Sequence, residues 1–548
     1  MRPALRILGT HHPRLLELDV RAWLARLSQA QGRVVRLNDV RESDLEPISS
    51  LGIDAVWLMG VWRPGSVGRR LWRQSEWLTT RARASLPDGS ERDIVGSPFA
   101  ISDYEVATSV GGEDGLMSVR RRLAAQGIAL ILDFVPNHTA IDHPWVRRNP
   151  TWFVQGGPDQ IAADPDAFFE VRADGRHFIA HGRDPWFPPW HDTAQLDYRN
   201  PNVTAAMART LLDISNRCDG VRCDMAMLVL DDVFRAMWNS RSLSPPSPDA
   251  GAGVGEFWWH AIRTVREAYP HFLMIAEAYW GAEWRLQQLG FDQTYDKTLL
   301  DRLVANDGRG VAAHLRADEE YQRHSLRFLE SHDEPRIAAL LGPEQHRSAA
   351  LVTAAVPGML MIHDGQELGL REQPSVQLGR RPPESADGPI AEFYAELLRA
   401  THEETFRLGH AVRIEPQLAW LGNSSHESMI VRLWVGPHRS LRLAVANLSD
   451  APSQCYVPLP IPEFAGRTIS FEDCLSDATY LRSGDELLTL GLYLDLPAYG
   501  RHLFRVMTGR TKSRRRRKAR LKSPIQAEDS SDTQPTVGRG TGDLAVIP

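Results

Sequence analysis

The first 400 or so residues alternate between short apolar runs and amphipathic stretches. The apolar runs are almost continuous, as in strands that are buried on both faces. The stretches between them have helical periodicity, as in Gly115–Gln126, Thr204–Asn216, Trp258–Ala268 and His346–Ala355. The predicted strands are Leu15–Val20, Ala55–Met59, Ile128–Val135, Gly220–Cys223, Phe272–Ala276, Ser325–Leu329 and Met359–His363. Seven or eight such strand–helix units predict an α/β fold, a (β/α)8 barrel with insertions.

Two changes of pattern divide the chain further. About sixty residues rich in Asp, Pro, Gly and aromatics follow the third predicted strand, although βα loops usually have only about 2–6 residues. We therefore expect a small inserted subdomain on the side of the barrel where the strands end. Later, short alternating runs predict an antiparallel β-sandwich; they are Glu427–Trp434, Leu441–Asn447, Leu487–Leu494 and Gly500–Val506. The expected domains are the barrel (1–138 and 201–405), the inserted subdomain (139–200), the sandwich (406–507) and a basic tail (508–548).

Charge is distributed unevenly between the tail and the rest of the chain. The whole chain carries −6, but the tail after residue 507 carries about +6, so the remainder is near −12. An acidic body argues against a nucleic-acid binder and suits a neutral substrate. The tail is polar and poor in apolar residues, so we expect it to be disordered, with an anionic partner as the alternative role.

The N-terminal residues have no signal-peptide pattern, and no apolar run is long enough to span a bilayer. The four cysteines show no CxxC spacing, so we expect them to be reduced. These features together predict a cytoplasmic protein without a membrane partner.

Polar residues cluster where the predicted strands end. The carboxyl ends of barrel strands point to one face, so these residues should converge there. An aspartate after a strand often caps the next helix instead. Three carboxylates with an arginine and two histidines are harder to explain in that way, because converging carboxylates repel one another and resist desolvation. The residues are Asp133, Asn137 and His138 after the third strand, Arg222 and Asp224 at the fourth, Glu277 at the fifth, and His332 and Asp333 at the seventh.

Glycosidic bond cleavage requires such a set, with one carboxylate that attacks the anomeric carbon and one carboxyl that protonates the leaving oxygen. Glu277 follows an apolar run and precedes Tyr279 and Trp280, surroundings that favour the protonated acid. Arg222 and Asp224 are two residues apart and share one face of their strand. The guanidinium can therefore keep Asp224 ionised, as a nucleophile must be.

Four segments resemble the signature regions of glycoside hydrolase family 13, the α-amylase family. They are DFVPNH, GVRCD, the strand end at Glu277, and SHD, and they occur in the family's order. The resemblance covers about the first 500 residues. It implies that Asp224 is the nucleophile, Glu277 the acid/base and Asp333 the stabiliser of an oxocarbenium-like transition state. The family architecture also has a barrel, an insertion after the third strand and a C-terminal β-sandwich.

The resemblance also implies substrate contacts. Arg222 would orient Asp224, and His138 and His332 would bind hydroxyls of the sugar on the non-reducing side of the cleaved bond. Phe99 and Asp103, in SPFAISDY, match an aromatic-x-x-x-Asp-Tyr stretch whose aromatic ring stacks on that sugar. Arg336, in HDEPR, is a further candidate for substrate binding.

Other positions depart from the endo-acting α-amylases. Met227 and Leu228 stand where many of those enzymes have Lys-His, so the side beyond the cleaved bond is expected to differ. Ser331 replaces a usual Asn, and Met225 follows the nucleophile where Val or Ala is usual. HDEPR and DGQELG are more similar to the oligosaccharide-directed members. The substrate is therefore expected to be an oligosaccharide or α-glucan, with the linkage left open.

Three further possibilities follow. The enzyme can be a hydrolase or an α-glucan transglycosidase, because water or a sugar hydroxyl can resolve the same glycosyl-enzyme. A non-catalytic carbohydrate-binding protein is an alternative, although all three carboxylates are present. A barrel enzyme of unrelated chemistry would need motifs that the chain does not show. We expect no required cofactor. Asn137 resembles the family's calcium ligand, and the insertion has candidate oxygens in Asp192 and Asp197, so a structural calcium site is possible. A purely structural role for Asn137 is the alternative.

Overall fold

Eight parallel strands close into a barrel in the computed structural model, which describes residues 4, 7, 9–86, 88–238, 256–373 and 375–508. Each strand pairs with its neighbours in chain order, and the last pairs with the first, Arg14 lying opposite Leu360. The predicted (β/α)8 fold is thereby confirmed. The barrel strands are β1 (Arg14–Asp19), β2 (Ala55–Met59), β3 (Ala129–Phe134), β4 (Gly220–Cys223), β5 (Leu273–Ala276), β6 (Gln293–Tyr295), β7 (Ser325–Arg327) and β8 (Met359–His363).

The barrel strands are buried along their length, which explains why most of them read as continuous apolar runs. β6 and β7 each have only three residues, two of them polar, but apolar Phe328 and Leu329 directly follow β7. The sequence pattern therefore reveals β7 and not β6. β6 pairs with β5 and β7, and the barrel closes through it.

Helices cover the outside of the barrel and occupy its insertions. The helix after β3 and its insertion, Pro201–Ser215, buries one face that includes Val203, Leu211 and Ile214. The helices before the C-terminal sheets are Val20–Gln31, Glu42–Ser50, Ser66–Gln74, Glu76–Ser85, Gly112–Ala125, Pro144–Arg148, Pro158–Ala163, Pro201–Ser215, Asp231–Trp238, Phe257–Ala268, Glu283–Leu289, Lys297–Val304, Gly308–His314, Glu319–Arg323, Ile337–Leu340, Pro343–Ala355, Gly388–Thr401 and Glu404–Arg407.

Two of the connections after barrel strands are long. The connection after β3 contains short helices and two antiparallel strand pairs, His138–Ala140 with Thr193–Gln195 and Phe168–Arg172 with Arg176–Ala180. The connection after β2 contains Trp62–Pro64 paired with Ile101–Val106, and between these strands two helices, Ser66–Gln74 and Glu76–Ser85. We call these two helices the wall helices; the sequence patterns did not single them out.

The wall helices are fastened to the connection after β3. Oδ2 of Asp142 accepts hydrogen bonds from the backbone N–H of Ser66 (2.9 Å) and Val67 (3.1 Å), so it caps the first helix from outside its own segment. A Cβ atom on Gly68 would lie 2.8 Å from Cβ of Asp192. The helix therefore packs closely against this segment at a position where only glycine fits.

The C-terminal part forms two antiparallel sheets around a second apolar core, which includes Val431 and Leu443 of one sheet and Cys455 and Leu494 of the other. The predicted sandwich is confirmed. The six-stranded sheet has the order β9-β11-β12-β17-β14-β15 and the three-stranded sheet the order β10-β13-β16. The strands are β9 (His410–Arg413), β10 (Gln417–Leu418), β11 (Met429–Val435), β12 (Leu441–Asn447), β13 (Ser453–Val457), β14 (Thr468–Asp473), β15 (Thr479–Ser483), β16 (Leu492–Leu496) and β17 (Arg501–Thr508).

One predicted strand of this part is wrong. The run Leu487–Leu494 is divided between a helix, Gly484–Thr489, and β16, with Gly491 between them at φ 86°. The predicted tail lies outside the described residues, apart from Thr508 at the end of β17. Within the described ranges, no helix has the length and apolarity that crossing a bilayer requires.

Candidate active site

A cavity of about 880 Å³ opens at the carboxyl ends of the barrel strands. Its volume lies in the upper part of the range for small-molecule sites. Three of its lining residues are the predicted carboxylates Asp224, Glu277 and Asp333, which we call the pocket floor. The described lining residues are Leu71, Trp72, Ser75, Ser97, Phe99, His138, Asp184, Phe187, Pro188, Pro189, Trp190, His191, Asp192, Thr193, Asp224, Met225, Glu277, Asp333, Val376 and Gln377.

Arg222 lies beneath the floor and joins two of its carboxylates. Its Nη1 is 2.6 Å from Oδ1 of Asp224, and its Nη2 is 2.8 Å from Oε1 of Glu277. The guanidinium is fully buried, with its central carbon 4.8 Å from the ring centre of Trp57 and 5.2 Å from that of Phe99. The strand spacing predicted the contact with Asp224. The second contact, with Glu277, depends on the pairing of β4 with β5.

Glu277 is buried and both of its oxygens are engaged. Oε2 accepts a hydrogen bond from the backbone N–H of Met225 (2.6 Å), and Oε1 accepts one from the hydroxyl of Tyr279 (2.9 Å). Burial raises the pKa of Glu277 to about 7; Asp224 and Asp333 add to the increase, and Arg222 opposes it. This is the direction that a general acid requires. Burial also raises the pKa of Asp224 above its usual value, and Arg222 again opposes the effect.

Asp333 belongs to a chain of charged groups that begins on β1. Glu17, fully buried, accepts hydrogen bonds from Nδ1 (2.5 Å) and the backbone N–H (3.2 Å) of His332. Nε2 of His332 lies 3.0 Å from Oδ2 of Asp333, whose side chain is 52 % exposed. Burial lowers the pKa of His332, but Asp333 and Glu17 together raise it well above the usual value. Desolvation raises the pKa of Asp333, and His332 lowers it below the usual value.

His138 and Phe99 line the pocket beside the floor, as predicted. The His138 ring centre is 5.1 Å from that of Trp190, and burial lowers the pKa of His138 to about 4, which keeps its imidazole neutral at pH 7. The Phe99 ring centre is 5.1 Å from that of His332. These two residues are therefore placed where they could contact a ligand that lies over the carboxylates.

The sides of the pocket differ from the floor. They are formed by the wall helices, by the segment from Asp184 to Thr193 and by Val376 with Gln377; we call these residues the pocket wall. Leu71 and Phe187 are 40 % and 65 % exposed. Trp72 donates its indole N–H to Oδ2 of Asp192 (2.7 Å), which ties the wall helices to the opposite segment.

Four predicted substrate-binding residues lie outside the described pocket lining; Arg222 and His332 are buried against the floor carboxylates, and Asp103 and Arg336 lie elsewhere. Asp103 lies outside the described lining and accepts a hydrogen bond from Nη2 of Arg63 at 2.6 Å. Arg336 is 1 % exposed, and its guanidinium pairs with buried Glu330 at 2.7 Å and donates to the backbone oxygen of Asp364. HDEPR therefore contributes to the packing behind the site through Arg336, because the chain after Asp333 turns into the core.

The residues considered for calcium do not fit that ion. Oδ1 of Asn137 accepts a hydrogen bond from Nε2 of Gln195 at 3.0 Å, and the Asn137 amide faces Oε1 of Gln195 and Nδ1 of His138. The other oxygens are also taken, Asp192 by Trp72 and Asp197 by two contacts of 2.7 Å with Arg199. Calcium needs six to eight oxygen ligands. Over the described ranges, no group of three His, Cys, Asp or Glu side chains could hold a metal.

Sequence reasoning missed three contributors to the site. Glu17 is an acidic residue inside an apolar strand, and that contrast is a signal that could have identified it. Tyr295 contacts Nε of Arg222 at 3.4 Å, but it lies on the short β6. The wall helices begin after Gly65, and Ser75 caps the second of them, so the local turn residues carried a helix signal.

Comparison with known proteins gives several distant relatives. The chain is 23 % identical over 372 residues to "Alpha-amylase MalA" of Haloarcula japonica, a match that covers 66 % of this chain and 45 % of the relative. It is 22 % identical over 337 residues to "Probable oligo-1,6-glucosidase 2" of Bacillus subtilis, covering 52 % and 59 %. It is 28 % identical over 262 residues to "Alpha-1,4-glucan:maltose-1-phosphate maltosyltransferase" of Rhodospirillum rubrum, covering 46 % and 30 %. The chain thus spans only 30 to 59 % of these relatives' lengths.

Solved structures share the fold. The maltogenic α-amylase AmyB from Thermotoga neapolitana superposes with a TM-score of 0.61 at 20 % identity, covering 92 % of this chain and 100 % of that one. The trehalose-6-phosphate hydrolase of Bacillus licheniformis superposes with a TM-score of 0.60 at 14 % identity, covering 90 % and 99 %. The family described as "Alpha amylase, catalytic domain" matches residues 41–402, a range that contains the whole pocket floor. The chain therefore belongs to the α-amylase family.

Proposed function

We propose that the protein is a retaining α-glycosidase that cleaves α-glucosidic bonds of oligosaccharides or α-glucans by double displacement. The observation that carries the proposal is the shared guanidinium of Arg222, which contacts Asp224 and Glu277 on the floor of one pocket. Retaining enzymes need two carboxyl groups close together, one as nucleophile and one as acid. One buried cation between two carboxylates keeps them near each other and lowers the cost of their repulsion.

Each floor residue has a role in this proposal. Asp224 attacks the anomeric carbon and forms the glycosyl-enzyme, while Glu277 protonates the leaving oxygen and then removes a proton from the incoming hydroxyl. Asp333, held by His332, stabilises the positive charge of the transition state. His138 and Phe99 bind the glucosyl unit above the carboxylates.

Glu277 has to change its contacts for this chemistry. Its Oε2 accepts a hydrogen bond from the Met225 N–H. Proton donation to a glycosidic oxygen requires that a bound substrate displaces this contact, and hydrogen bonds of free enzymes commonly rearrange in this way. Protonation of Glu277, which its raised pKa favours, weakens the same contact.

An uncharged substrate fits the pocket better than a phosphorylated one. The described lining residues include no lysine or arginine, the side chains that usually bind phosphate. The three floor carboxylates would also repel an anion. In this respect the pocket differs from what the names maltose-1-phosphate maltosyltransferase and trehalose-6-phosphate hydrolase imply for the substrates of those two proteins.

Transglycosylation is the second candidate. Met227 and Leu228, which replace Lys-His, are buried and lie outside the described pocket lining, and their side chains offer no hydrogen bond to a sugar beyond the cleaved bond. The acceptor side is therefore built differently from that of endo-acting α-amylases. The first half of the reaction is the same in both candidates.

Product analysis tests the proposal. The wild-type protein is incubated with maltooligosaccharides, isomaltose, trehalose and sucrose, and the first-formed anomer is identified by NMR. We expect the α-anomer from wild type, no product from Asp224→Asn, and full activity from Asp174→Asn, which changes a mostly exposed aspartate elsewhere. A β-anomer, or equal inertness of wild type and Asp224→Asn on every substrate, would contradict it.

A further inference from the structure

The pocket wall presents an apolar surface above a charged floor. Seven aliphatic, aromatic or proline side chains of the wall line the cavity, namely Leu71, Trp72, Phe187, Pro188, Pro189, Trp190 and Val376. Met225 continues this surface next to the nucleophile. Phe187 and Leu71 keep large exposed fractions, although a soluble protein normally buries such residues. A contiguous exposed apolar surface inside a pocket indicates a binding role.

The polar side chains of the wall are mostly occupied by the protein itself. Oδ1 of Asp184 accepts hydrogen bonds from the N–H groups of Trp186 (2.6 Å) and Phe187 (2.9 Å). Asp192 accepts from Trp72, and the hydroxyl of Thr193 donates to the backbone oxygen of Trp190 at 2.7 Å. The hydroxyl of Ser75 accepts from the backbone N–H of Leu78, and the hydroxyl of Ser97, a lining residue next to the wall, accepts from that of Phe99. These hydrogen bonds fix the shape of the wall. They also leave its polar groups with less capacity to form hydrogen bonds to a ligand.

A wall of this kind discriminates between a sugar and an apolar group. A hydroxyl that leaves water without gaining a hydrogen bond is penalised, whereas a methylene or an aromatic ring gains from leaving water. The polar groups of the floor suit the glucosyl unit at the reacting carbon. The wall suits a group that carries few hydroxyls.

We infer that the outer part of the pocket binds an apolar alcohol or phenol, as the leaving group of an α-glucoside or as the acceptor of a transferred glucosyl unit. This inference rests on the proposed function and names the chemical class on the far side of the cleaved bond. In cleavage, the bond from Asp224 to the anomeric carbon forms, the glycosidic bond breaks, and the alcohol leaves with the proton of Glu277. In transfer, an alcohol oxygen attacks the same carbon, Asp224 is released as carboxylate, and Glu277 takes the hydroxyl proton.

Alkyl α-glucosides test the inference because they differ in apolar length while the leaving alcohols have similar acidity. We compare methyl, butyl and octyl α-glucopyranoside with maltose, using kcat/KM at one pH and below the critical micelle concentration. We expect kcat/KM to rise at least about tenfold from the methyl to the octyl compound, because burying two methylenes already gives such a factor. The octyl compound should also exceed maltose, whose leaving glucose is rich in hydroxyls.

Two leucine variants identify the surface responsible. Leu71→Ser should lower the octyl-to-methyl ratio of kcat/KM at least about threefold, whereas Leu421→Ser, at a 95 % exposed leucine of the C-terminal part, should leave it unchanged. A wild-type ratio near one, turnover of maltose without turnover of the octyl compound, or an equal effect of Leu71→Ser on both glucosides overturns the inference and leaves the proposed function standing. Inertness towards all four compounds overturns the inference, and it overturns the proposed function only if the protein is also inert on longer maltooligosaccharides, isomaltose, trehalose and sucrose.

Discussion

The floor and the wall of the pocket differ in polarity, since the floor consists of interacting charged groups and the wall mainly of apolar side chains. The floor gathers Asp224, Glu277 and Asp333 around cationic Arg222 and His332, and these charges change the pKa of one another. The wall is mainly apolar, and most of its polar side chains have hydrogen-bond partners within the protein. The floor comes from the ends of barrel strands, which are held by pairing on both sides, and the wall comes from the connections after β2, β3 and β8. The comparison suggests that the barrel determines which bond is cleaved and that the connections determine what lies beyond it.

The largest expected effect is that of Glu277→Gln, and two substrates distinguish a role of Glu277 as general acid from a role in binding. Glu277→Gln should lower kcat on methyl α-glucopyranoside by about 10²–10⁴, the usual contribution of general acid–base catalysis. The loss in bond cleavage should be far smaller with 2,4-dinitrophenyl α-glucoside, since that leaving group needs no proton. Pre-steady-state release of dinitrophenol measures this step.

Glu320→Gln is the matched control, because Glu320 is half-exposed and lies on a short helix outside the pocket lining. It should behave as wild type on both substrates. Equal losses on both substrates in Glu277→Gln would remove the acid role, because they would show that the glutamate acts in binding or folding.

Glu17→Gln should have the next largest effect. The variant retains a hydrogen-bond acceptor near His332 but loses the charge that raises the pKa of this histidine. The imidazolium of the variant should therefore lose its proton at a lower pH than that of wild type, and Asp333 would lose its cationic partner. Because a charged hydrogen bond is worth about 1.5–3 kcal/mol, we expect kcat/KM at pH 8 to fall at least tenfold.

The pH profile decides whether Glu17 acts through charge. The ratio of wild-type to variant kcat/KM should grow as pH rises from 5 to 8, since His332 is protonated in both proteins at the acidic end. A ratio that stays constant over this range would indicate a purely structural role of Glu17 on β1.

A smaller effect concerns the basic limb of the pH profile. Glu277 must be protonated to act as an acid, and its pKa is raised to about 7, so activity should fall as pH rises through about 7. The Tyr279 hydroxyl donates to Glu277 and thereby favours its ionised form. Tyr279→Phe removes this bond and should move the basic limb upward by about one pH unit.

The measurement for Tyr279→Phe is kcat/KM between pH 5 and 9. Tyr480→Phe, in the C-terminal sheets, serves as control and should leave the limb in place. A downward movement of the limb in Tyr279→Phe would show that the tyrosine stabilises the protonated acid rather than the carboxylate.

The floor was largely predictable from the sequence, because strand order and strand ends are local properties. Asp224 and Glu277 each follow a buried strand directly, and barrel closure brings them together. Asp333 follows β7 at a greater distance, yet its segment still returns to the same mouth. These three positions needed only the pattern of βα units and the direction of the parallel strands.

The wall and the supporting contacts were not predictable in this way. The site of Arg336 depends on how the chain turns after Asp333, and that turn takes the guanidinium to buried Glu330. Leu71 and Trp72 lie on a helix whose N-terminus is capped by Asp142 from a different connection. Such contacts join segments that are far apart in the chain, and their geometry leaves no periodic trace in the sequence.

The smallest expected effect lies where the wall meets the floor. If Asn137, Asp192 and Asp197 held calcium, a chelator would release the ion and leave three buried polar groups without partners. In the structure, Gln195, Trp72 and Arg199 already occupy these oxygens. We therefore expect EDTA followed by desalting to change Tm by less than about 1 °C, and added calcium to raise it by no more, because a ligand stabilises only the state that binds it.

The effect of calcium on the Tm of wild type is compared with its effect on the Tm of Gln195→Glu. The substitution adds a carboxylate beside Oδ1 of Asn137 in place of the amide that now donates to it. If the region can accept calcium once a donor is replaced by an acceptor, only the variant should gain stability from added calcium. A calcium-dependent Tm in wild type would show that these side chains rearrange around an ion. The polar side chains where the wall meets the floor would then need a metal ion as partner. The contrast between a charged floor and a wall whose polar groups bond within the protein would not hold there.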